Sequence, residues 1–517
     1  MVATPHADVI VVGSGSAGAV VSRRLVDAVA DVLLLESGAP DTAPAIHDAS
    51  QFLGLWETSA AAHHLTAPQP HLRGRALEWT FGHVLGGSSS INGMAWVRGA
   101  PADFDHWAYL GNAGWSYAEV LERFRRIEDF DRGASALHGA GGPIHVSTRW
   151  EPSPIHRAIV AGAQEVGIPF NDDVNGADPF GVYHLQFNIR AGRRQSTSAT
   201  YLAPIVGNPA LRVLTHARVH ALLFEGARCT GAEWEREGRV ERALAGSAVV
   251  LSAGVIGSPT LLLRAGIGPA AELAAHGISP RVDLPGVGAN LHDHVHVPLI
   301  YETSRPVGPP AAGVPSMQTN LGWRTDPQLP APDLQTAFFA EPVYRDGMHG
   351  PPDGVTMAAT IVRPASRGRL RLRSADPAAP PLLDPGTYEC RADLDAMLAA
   401  VRLNRRIGRS SALAEWGAVE RYPGEGVEDD AELEAYIRER TWTAFHQVGT
   451  CKMGVDADAV VDPALRVYGV EGLRVADASI MPAVTSGNTN APAVMIGERA
   501  GELLAPPGAA LGDTAAP

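Results

Sequence analysis

The sequence predicts an α/β fold, a mostly parallel sheet joined by a second lobe built on an antiparallel sheet with helices. Three observations predict it. The first apolar run, Val9-Ile10-Val11-Val12, passes through a glycine turn into a helical pattern at Val20, Val21 and Leu25, then into a second run, Val32-Leu33-Leu34-Leu35. Two further short apolar runs, Ala248-Val249-Val250-Leu251 and Leu473-Arg474-Val475, stand in the middle and near the end of the chain. Between about 300 and 430 the chain is rich in proline and carries alternating segments such as Leu370-Arg371-Leu372-Arg373, as antiparallel strands do.

The turn after the first run is Gly13-Ser14-Gly15-Ser16-Ala17-Gly18. In such a turn the first glycine permits the tight bend, the second lets backbone approach a pyrophosphate, and the third lets helix and strand pack closely. Phosphate then sits at a helix N-terminus, where free N–H groups and the helix dipole favour it. Glu36, followed by Ser37, ends the second strand where a carboxylate would accept hydrogen bonds from a ribose diol. The pattern is a Rossmann-like dinucleotide site, and it does not separate FAD from NAD.

The remaining elements follow in order. Residues 40–80 read as irregular, with scattered Trp56, His63, His64 and His71. Residues 82–94, Gly-His-Val-Leu-Gly-Gly-Ser-Ser-Ser-Ile-Asn-Gly-Met, put small residues in a row and interleave apolar ones, which predicts a packed loop that approaches something flat or charged. Residues 115–130 read as an amphipathic helix through Val120, Leu121, Phe124 and Ile127. From 145 to 195 the elements are short and mixed; 211–224 reads as strand; Ser258–Ala265 reads as a helix closing at Gly266. Asn490–Leu504 reads as a helix with Pro492 in its first turn. The nucleotide-binding lobe is therefore discontinuous, at 1–150, 196–300 and 431–507. The second lobe takes 151–195 and 301–430, and 508–517 is expected to be a disordered tail.

At 517 residues, 45% hydrophobic and 19% charged, the chain has the size and composition of an enzyme with two or three domains' worth of core. A net charge of −14 argues against nucleic acid and anionic membrane surfaces. Lys452 is the only lysine, so the basic residues are nearly all arginine. Cys229, Cys390 and Cys451 are far apart and odd in number, which suggests neither a disulfide framework nor a zinc site. Met1 runs almost directly into the first strand and no apolar run approaches about 20 residues. The expectation is a cytoplasmic protein without signal peptide or membrane span, a monomer or a small homo-oligomer.

Four stretches, in order, carry a family likeness: Gly13–Gly18; the loop from Val84 to Met94; Gly254-Val255-Ile256-Gly257-Ser258-Pro259 through Gly266-Ile267-Gly268; and Phe445-His446-Gln447-Val448-Gly449-Thr450 with Asp477-Ala478-Ser479 and Asn488-Thr489-Asn490. Together they span about residues 7–504 and resemble the glucose-methanol-choline (GMC) oxidoreductases, which bind FAD. The nearest likeness is to aryl-alcohol and hydroxymethylfurfural oxidases and to choline-dehydrogenase-like members. The chain departs from the pattern at His83, where relatives usually carry Arg or Lys. It departs again at Ile91, where relatives that attach FAD covalently carry histidine. Ile91 offers no nucleophile, so non-covalent FAD is expected, with His83 the alternative attachment point.

The resemblance implies cofactor contacts at Gly13, Gly15, Ser16, Ala17, Gly18, Glu36 and Ser37. It adds Val84, Gly87, Ser88, Asn92, Gly93, Met94 and Ala95 from the small-residue loop. Val219 (adenine contact or plain core), Ala253, Asp477 (flavin hydroxyls or a turn cap), Ala478, Thr489 and Pro492 complete the set. Oxidising an alcohol moves a hydride to flavin and requires a base for the hydroxyl proton, for which histidine near neutral pKa is suited. By resemblance His446 is that base and Asn490 its uncharged partner, which also starts the C-terminal helix. The aromatic Phe445 is a substrate wall or a flavin packing residue.

His292-Asp293-His294-Val295-His296 places His294 and His296 on one strand face, but the segment resembles a structural part of the family and no metal is expected. The expected reaction oxidises a primary alcohol (aryl, furfuryl or allylic) to the aldehyde, with O2 reoxidising the flavin to give H2O2. A quinone-type acceptor and a hydroxynitrile lyase on the same fold are the alternatives.

Overall fold

The computed structural model describes residues 5–345 and 347–505, so the expected tail at 508–517 lies outside the described residues. The first of two large sheets has seven strands. Its parallel core runs Leu211–Leu214, Val32–Leu35, His6–Val12, Arg239–Leu251, Leu473–Val475. Register aligns the strand ends: Val12 pairs with both Leu35 and Leu251, Leu35 with Leu214, and Leu251 with Val475. Gly13, Glu36, Ser252 and Ala476 therefore leave the sheet side by side at its carboxyl edge, where ligands bind in open α/β sheets. An antiparallel ribbon, Arg218–Glu225 and Arg228–Arg236, extends this sheet from the first half of Arg239–Leu251.

The C-terminal helix, Asn490–Leu504, lies across the first helix, Gly18–Asp27. A Cβ on Gly497 would fall 2.7 Å from the Ala17 carbonyl oxygen, so glycine permits the close crossing. The crossing is pinned by Glu498, whose carboxylate accepts from Arg24 Nε (2.8 Å) and Nη2 (2.9 Å) and from Tyr201 Oη (2.9 Å), all buried. This contact brings the end of the chain onto its beginning, and with it the residues just before Asn490.

The second large sheet also has seven strands, and among the described residues its pairings are antiparallel. Its order is Val419–Tyr422, Val295–Glu302, Gly354–Ile361, Leu334–Phe339, Met317–Trp323, Gly181–His184, with Trp442–Thr443 paired to Val295–Glu302. Its central strands are buried on both faces. The helix Arg391–Gly408 packs on one face; the other presents His296, Asn320, Gln335, Ala337 and Phe339 to a cavity. Helices are expected in this lobe from the sequence, but this one is not located there. The alternating segment at 370–373 forms only a short hairpin, Arg369–Arg371 with Leu382–Asp384. Among the described residues no helix is long and apolar enough to cross a membrane.

Candidate active site

A cavity of about 670 Å³ runs along the carboxyl edge of the parallel sheet and ends against the second sheet. Its lining includes the expected residues Gly13, Gly15, Ser16, Ala17, Glu36, Ser37, Gly87, Ser88, Asn92, Gly93, Met94, Ala95, Val219, Ala253, Asp477, Ala478, Thr489 and Asn490, with Phe445 and His446. Gly18, Val84 and Pro492 are off the cavity wall. Gly18 lies under the turn, where a Cβ would meet the Gly13 carbonyl oxygen at 1.9 Å; Val84 packs with Ile46, Leu55, Ala60 and Ile91; Pro492 is buried in the first turn of its helix.

At the glycine end, Glu36 accepts from Ser14 N (2.9 Å) and Oγ (2.6 Å) through one oxygen and from Gly38 N (2.7 Å) through the other. Asp477 is a cap as well as a lining residue: it accepts from Gly254 N (2.9 Å), Ser258 Oγ (2.6 Å) and Ser479 N (2.8 Å), while burial pushes its pKa up. The three turn glycines differ in kind. Gly13 (φ +98°) and Gly18 have no room for a Cβ because protein backbone fills it, whereas a Cβ on Gly15 would meet no protein atom within 4 Å. The space beside Gly15 belongs to the cavity, at the start of a helix whose first-turn N–H groups have no partners inside the helix. These residues fit the pyrophosphate of FAD.

At the other end, residues 444–447 are held by Asp293. Its carboxylate accepts from His446 N (2.9 Å), Thr443 Oγ1 (2.6 Å) and Gln447 Nε2 (3.0 Å), although burial raises its pKa to about 7. Phe445 adopts φ +62°, a conformation costly for a residue with a Cβ, and its N–H is fixed to Thr443 Oγ1 (2.7 Å). The bend sets the Phe445 ring 4.8 Å from Trp56, which is itself anchored by Nε1 to the Ile91 carbonyl (3.1 Å). Phe52 and Trp442 extend this aromatic wall.

The protonation pattern of His446 follows from its neighbours. Burial depresses the pKa of His294 well below the usual histidine value, with His446 a further cause, so His294 is neutral. Its Nε2 lies 3.0 Å from the Val362 carbonyl and must be the donor there, which leaves Nδ1 an acceptor. His446 Nδ1, 2.9 Å away, therefore carries the hydrogen and donates it. The lone pair of His446 is thereby assigned to Nε2, and burial holds the ring's pKa down to about 4. This chain of Val362, His294 and His446 is not visible in the sequence beyond the spacing of His294 and His296.

The amide beside that nitrogen is not the one expected. Asn488 Nδ2 lies 3.2 Å from His446 Nε2, while Asn490 Oδ1 accepts from Ser16 Oγ (2.8 Å). Asn490 is the first residue of the helix and points to the glycine turn; Asn488 stands in the preceding loop and reaches the imidazole. The capping place belongs to Thr489, without a side-chain cap bond.

The histidines of 292–296 are each engaged separately. His292 donates from Nδ1 to the Asn290 carbonyl (2.6 Å) and accepts from Val484 N (3.0 Å), tethering the loop before Asn488. His296 bonds through Nδ1 to Thr360 Oγ1. Among the described residues no group of three His, Cys, Asp or Glu side chains is placed to hold a metal ion.

Comparison with known proteins agrees with this geometry. Family models of the GMC oxidoreductases match residues 7–296 (N-terminal model) and 364–497 (C-terminal model). The chain is 36% identical to mitochondrial choline dehydrogenase of Mus musculus, over 96% of this chain and 89% of that one. It is 37% identical to an oxygen-dependent choline dehydrogenase of Sinorhizobium fredii, over 96% and 95%. Among solved structures, pyridoxine 4-oxidase from Mesorbium loti superposes with a TM-score of 0.92 at 32% identity, covering 96% of this chain and 99% of that one. With the parallel sheet, the cradle at Gly15 and the imidazole at the far end of one cavity, these matches make the chain a member of the GMC oxidoreductase family, an FAD-dependent enzyme that oxidises alcohols.

Proposed function

We propose that the enzyme oxidises an aryl, furfuryl or allylic primary alcohol to the aldehyde, with non-covalent FAD reoxidised by O2 to give H2O2. The observation that carries this reading is the lone pair of His446 Nε2, directed by His294 into a cavity walled by Phe52, Trp56, Trp442 and Phe445. Bound FAD would accept the hydride from the alcohol carbon. His446 Nε2 takes the hydroxyl proton, and the Asn488 amide, already at that nitrogen, donates to the substrate oxygen as its negative charge grows. The aromatic wall holds a flat substrate against one direction of approach, which supplies orientation as well as affinity. The loop from 82 to 94 offers Ile91, an apolar core residue, and no nucleophile at the position where linked relatives carry one.

Anaerobic mixing with benzyl, furfuryl and allyl alcohols is expected to bleach the flavin, and admitted air to restore its colour within seconds with formation of peroxide. Slow recolouring in air, but fast recolouring with a quinone, would favour the second reading, an acceptor-dependent dehydrogenase, for which the choline dehydrogenases among the relatives speak. Acid precipitation is expected to release all flavin into the supernatant, and yellow pellet would refute the unlinked cofactor.

His294 is expected to act only through His446. In His294→Leu the Nδ1–H of His446 loses its acceptor inside a buried site, a loss of about 1–3 kcal/mol, and the ring is free to turn. Flavin content should be unchanged and the anaerobic reduction rate should fall roughly 10- to 100-fold; a rate within twofold of the parent would remove His294 from the mechanism.

A further inference from the structure

We infer that the substrate carries a second hydroxyl, across the ring from the one that is oxidised, and that Gln335 and His296 offer the acceptors for its hydrogen. The inference rests on the alcohol-oxidising reading above and names its substrate class. The site is on the cavity face of the second sheet. His296 and Gln335 both pair with Thr360 in the strand between them, so all three stand on one face. The two outer residues are two strand spacings apart, about 10 Å between Cα atoms, and both line the cavity. On its other side His296 pairs with Trp442, whose strand leads into His446. Gln335 therefore stands three strands along the sheet from the segment that carries the imidazole.

Each of the two residues meets the cavity with an acceptor. Thr360 Oγ1 donates to the Ala358 carbonyl (3.0 Å), so His296 Nδ1 must be the donor in its bond to Thr360 Oγ1. Burial above all lowers the pKa of His296 to about 3, so the ring is neutral and Nε2 keeps its lone pair. Gln335 Nε2 donates to Tyr183 Oη (3.4 Å), which leaves Oε1. Among the described residues neither His296 Nε2 nor Gln335 Oε1 has a protein donor. The next strand adds a third polar side chain: Asn320, opposite Ala337, lines the cavity and has a buried Oδ1 without a partner. The lining residues around them, Met317, Ala337 and Phe339, are apolar. Acceptors buried in such surroundings cost stability unless a donor reaches them. A plain benzyl or furfuryl ring would cover them without a hydrogen bond. A second hydroxyl supplies the donor, and it does so without a charge that burial would penalise.

The test uses the holoenzyme, with anaerobic bleaching of the flavin as the readout. Three alcohols differ only at the far end of the ring. They are 1,4-benzenedimethanol; 4-ethylbenzyl alcohol, close to it in shape but apolar there; and 4-(methoxymethyl)benzyl alcohol, which accepts at that end and cannot donate. After a twofold correction for its two equivalent ends, the diol is expected to exceed both analogues in kcat/KM by roughly tenfold or more, because each analogue leaves a buried acceptor unpaired. Gln335→Met, similar in length and apolar, should shrink that advantage at least fivefold. An advantage below tenfold over either analogue, or a Gln335→Met protein of native flavin spectrum whose advantage shrinks by less than fivefold, would overturn the inference and leave alcohol oxidation standing. If Gln335→Met takes up no flavin, the parent's three rates decide alone. Failure of all three alcohols to bleach a fully loaded enzyme would overturn both.

Discussion

His446→Ala is expected to keep its FAD and to reduce it with alcohol roughly 10²- to 10⁴-fold more slowly than the parent, the range lost with a positioned general base. The residue's own structure separates the two effects. The backbone N–H of His446 goes to Asp293 and its ring bonds to His294 and Asn488, so truncating the side chain removes none of the hydrogen bonds that hold the cofactor cradle. Stopped-flow bleaching under anaerobic conditions reads the step directly, and a rate within tenfold of the parent would reassign the base. The pH dependence has a definite sign. The ring is a base only when neutral, and burial holds its pKa down to about 4 from the ordinary 6.5. The reduction rate should be level from about pH 6 to 9 and fall as pH drops toward 4; a rate climbing tenfold per unit between pH 7 and 9 would contradict this. Stability moves the same way. His292, His296 and His446 all refuse a proton that the unfolded chain binds near pH 6.5, so folding weakens as pH falls below that value. The low-pH limb is best taken by pH jump.

What was legible in the sequence is what covalent geometry and short periodicities control. The turn at Gly13–Gly18 announces itself because a tight strand-to-helix bend admits few residue types, and Glu36 follows at a fixed distance set by one helix and one strand. The helix at Asn490–Leu504 has the bounds its pattern implies. The helix Arg391–Gly408 carries an equally plain period at Leu394, Met397, Leu398 and Val401, but prolines before and after it gave the whole region the look of sheet. The site itself was half legible. His446 stands in a distinctive run, yet a helix start read correctly at Asn490 does not tell which of Asn488 and Asn490 reaches the imidazole. A shift of two residues turns the side chain from the imidazole to Ser16. Trp56 stands in a single helical turn and Trp442 in a two-residue strand nearly four hundred residues further on, so no local pattern joins them. The link from Val362 through His294 to His446 is likewise a product of tertiary packing, since each partner lies on a different segment.

The glycine turn supports a sharper experiment than its motif alone would suggest, because its members fail in different ways. Gly13→Val and Gly18→Val each drive a side chain into backbone, at 2.4 Å from the Ser252 carbonyl oxygen and 1.9 Å from the Gly13 carbonyl oxygen, and Gly13 also has a positive φ. Both are expected to misfold. Gly15→Val meets no protein atom within 4 Å at its Cβ and lacks the positive φ that would strain it, so the apoprotein should fold with a thermal midpoint near the parent's. The added methyls would instead occupy the approach to the helix N-terminus where the pyrophosphate must come against backbone N–H groups. The expected product is a folded, soluble, colourless protein whose affinity for added FAD is lower by at least 100-fold, measured by quenching of flavin fluorescence. Parent-like yellow protein from Gly15→Val would mean that the phosphates lie elsewhere. A Gly15→Val protein as unfolded as the Gly13 and Gly18 variants would mean that the empty space beside Gly15 is filled by the chain itself. Only loss of the cofactor with retention of the fold agrees with a glycine whose missing side chain makes room for a ligand.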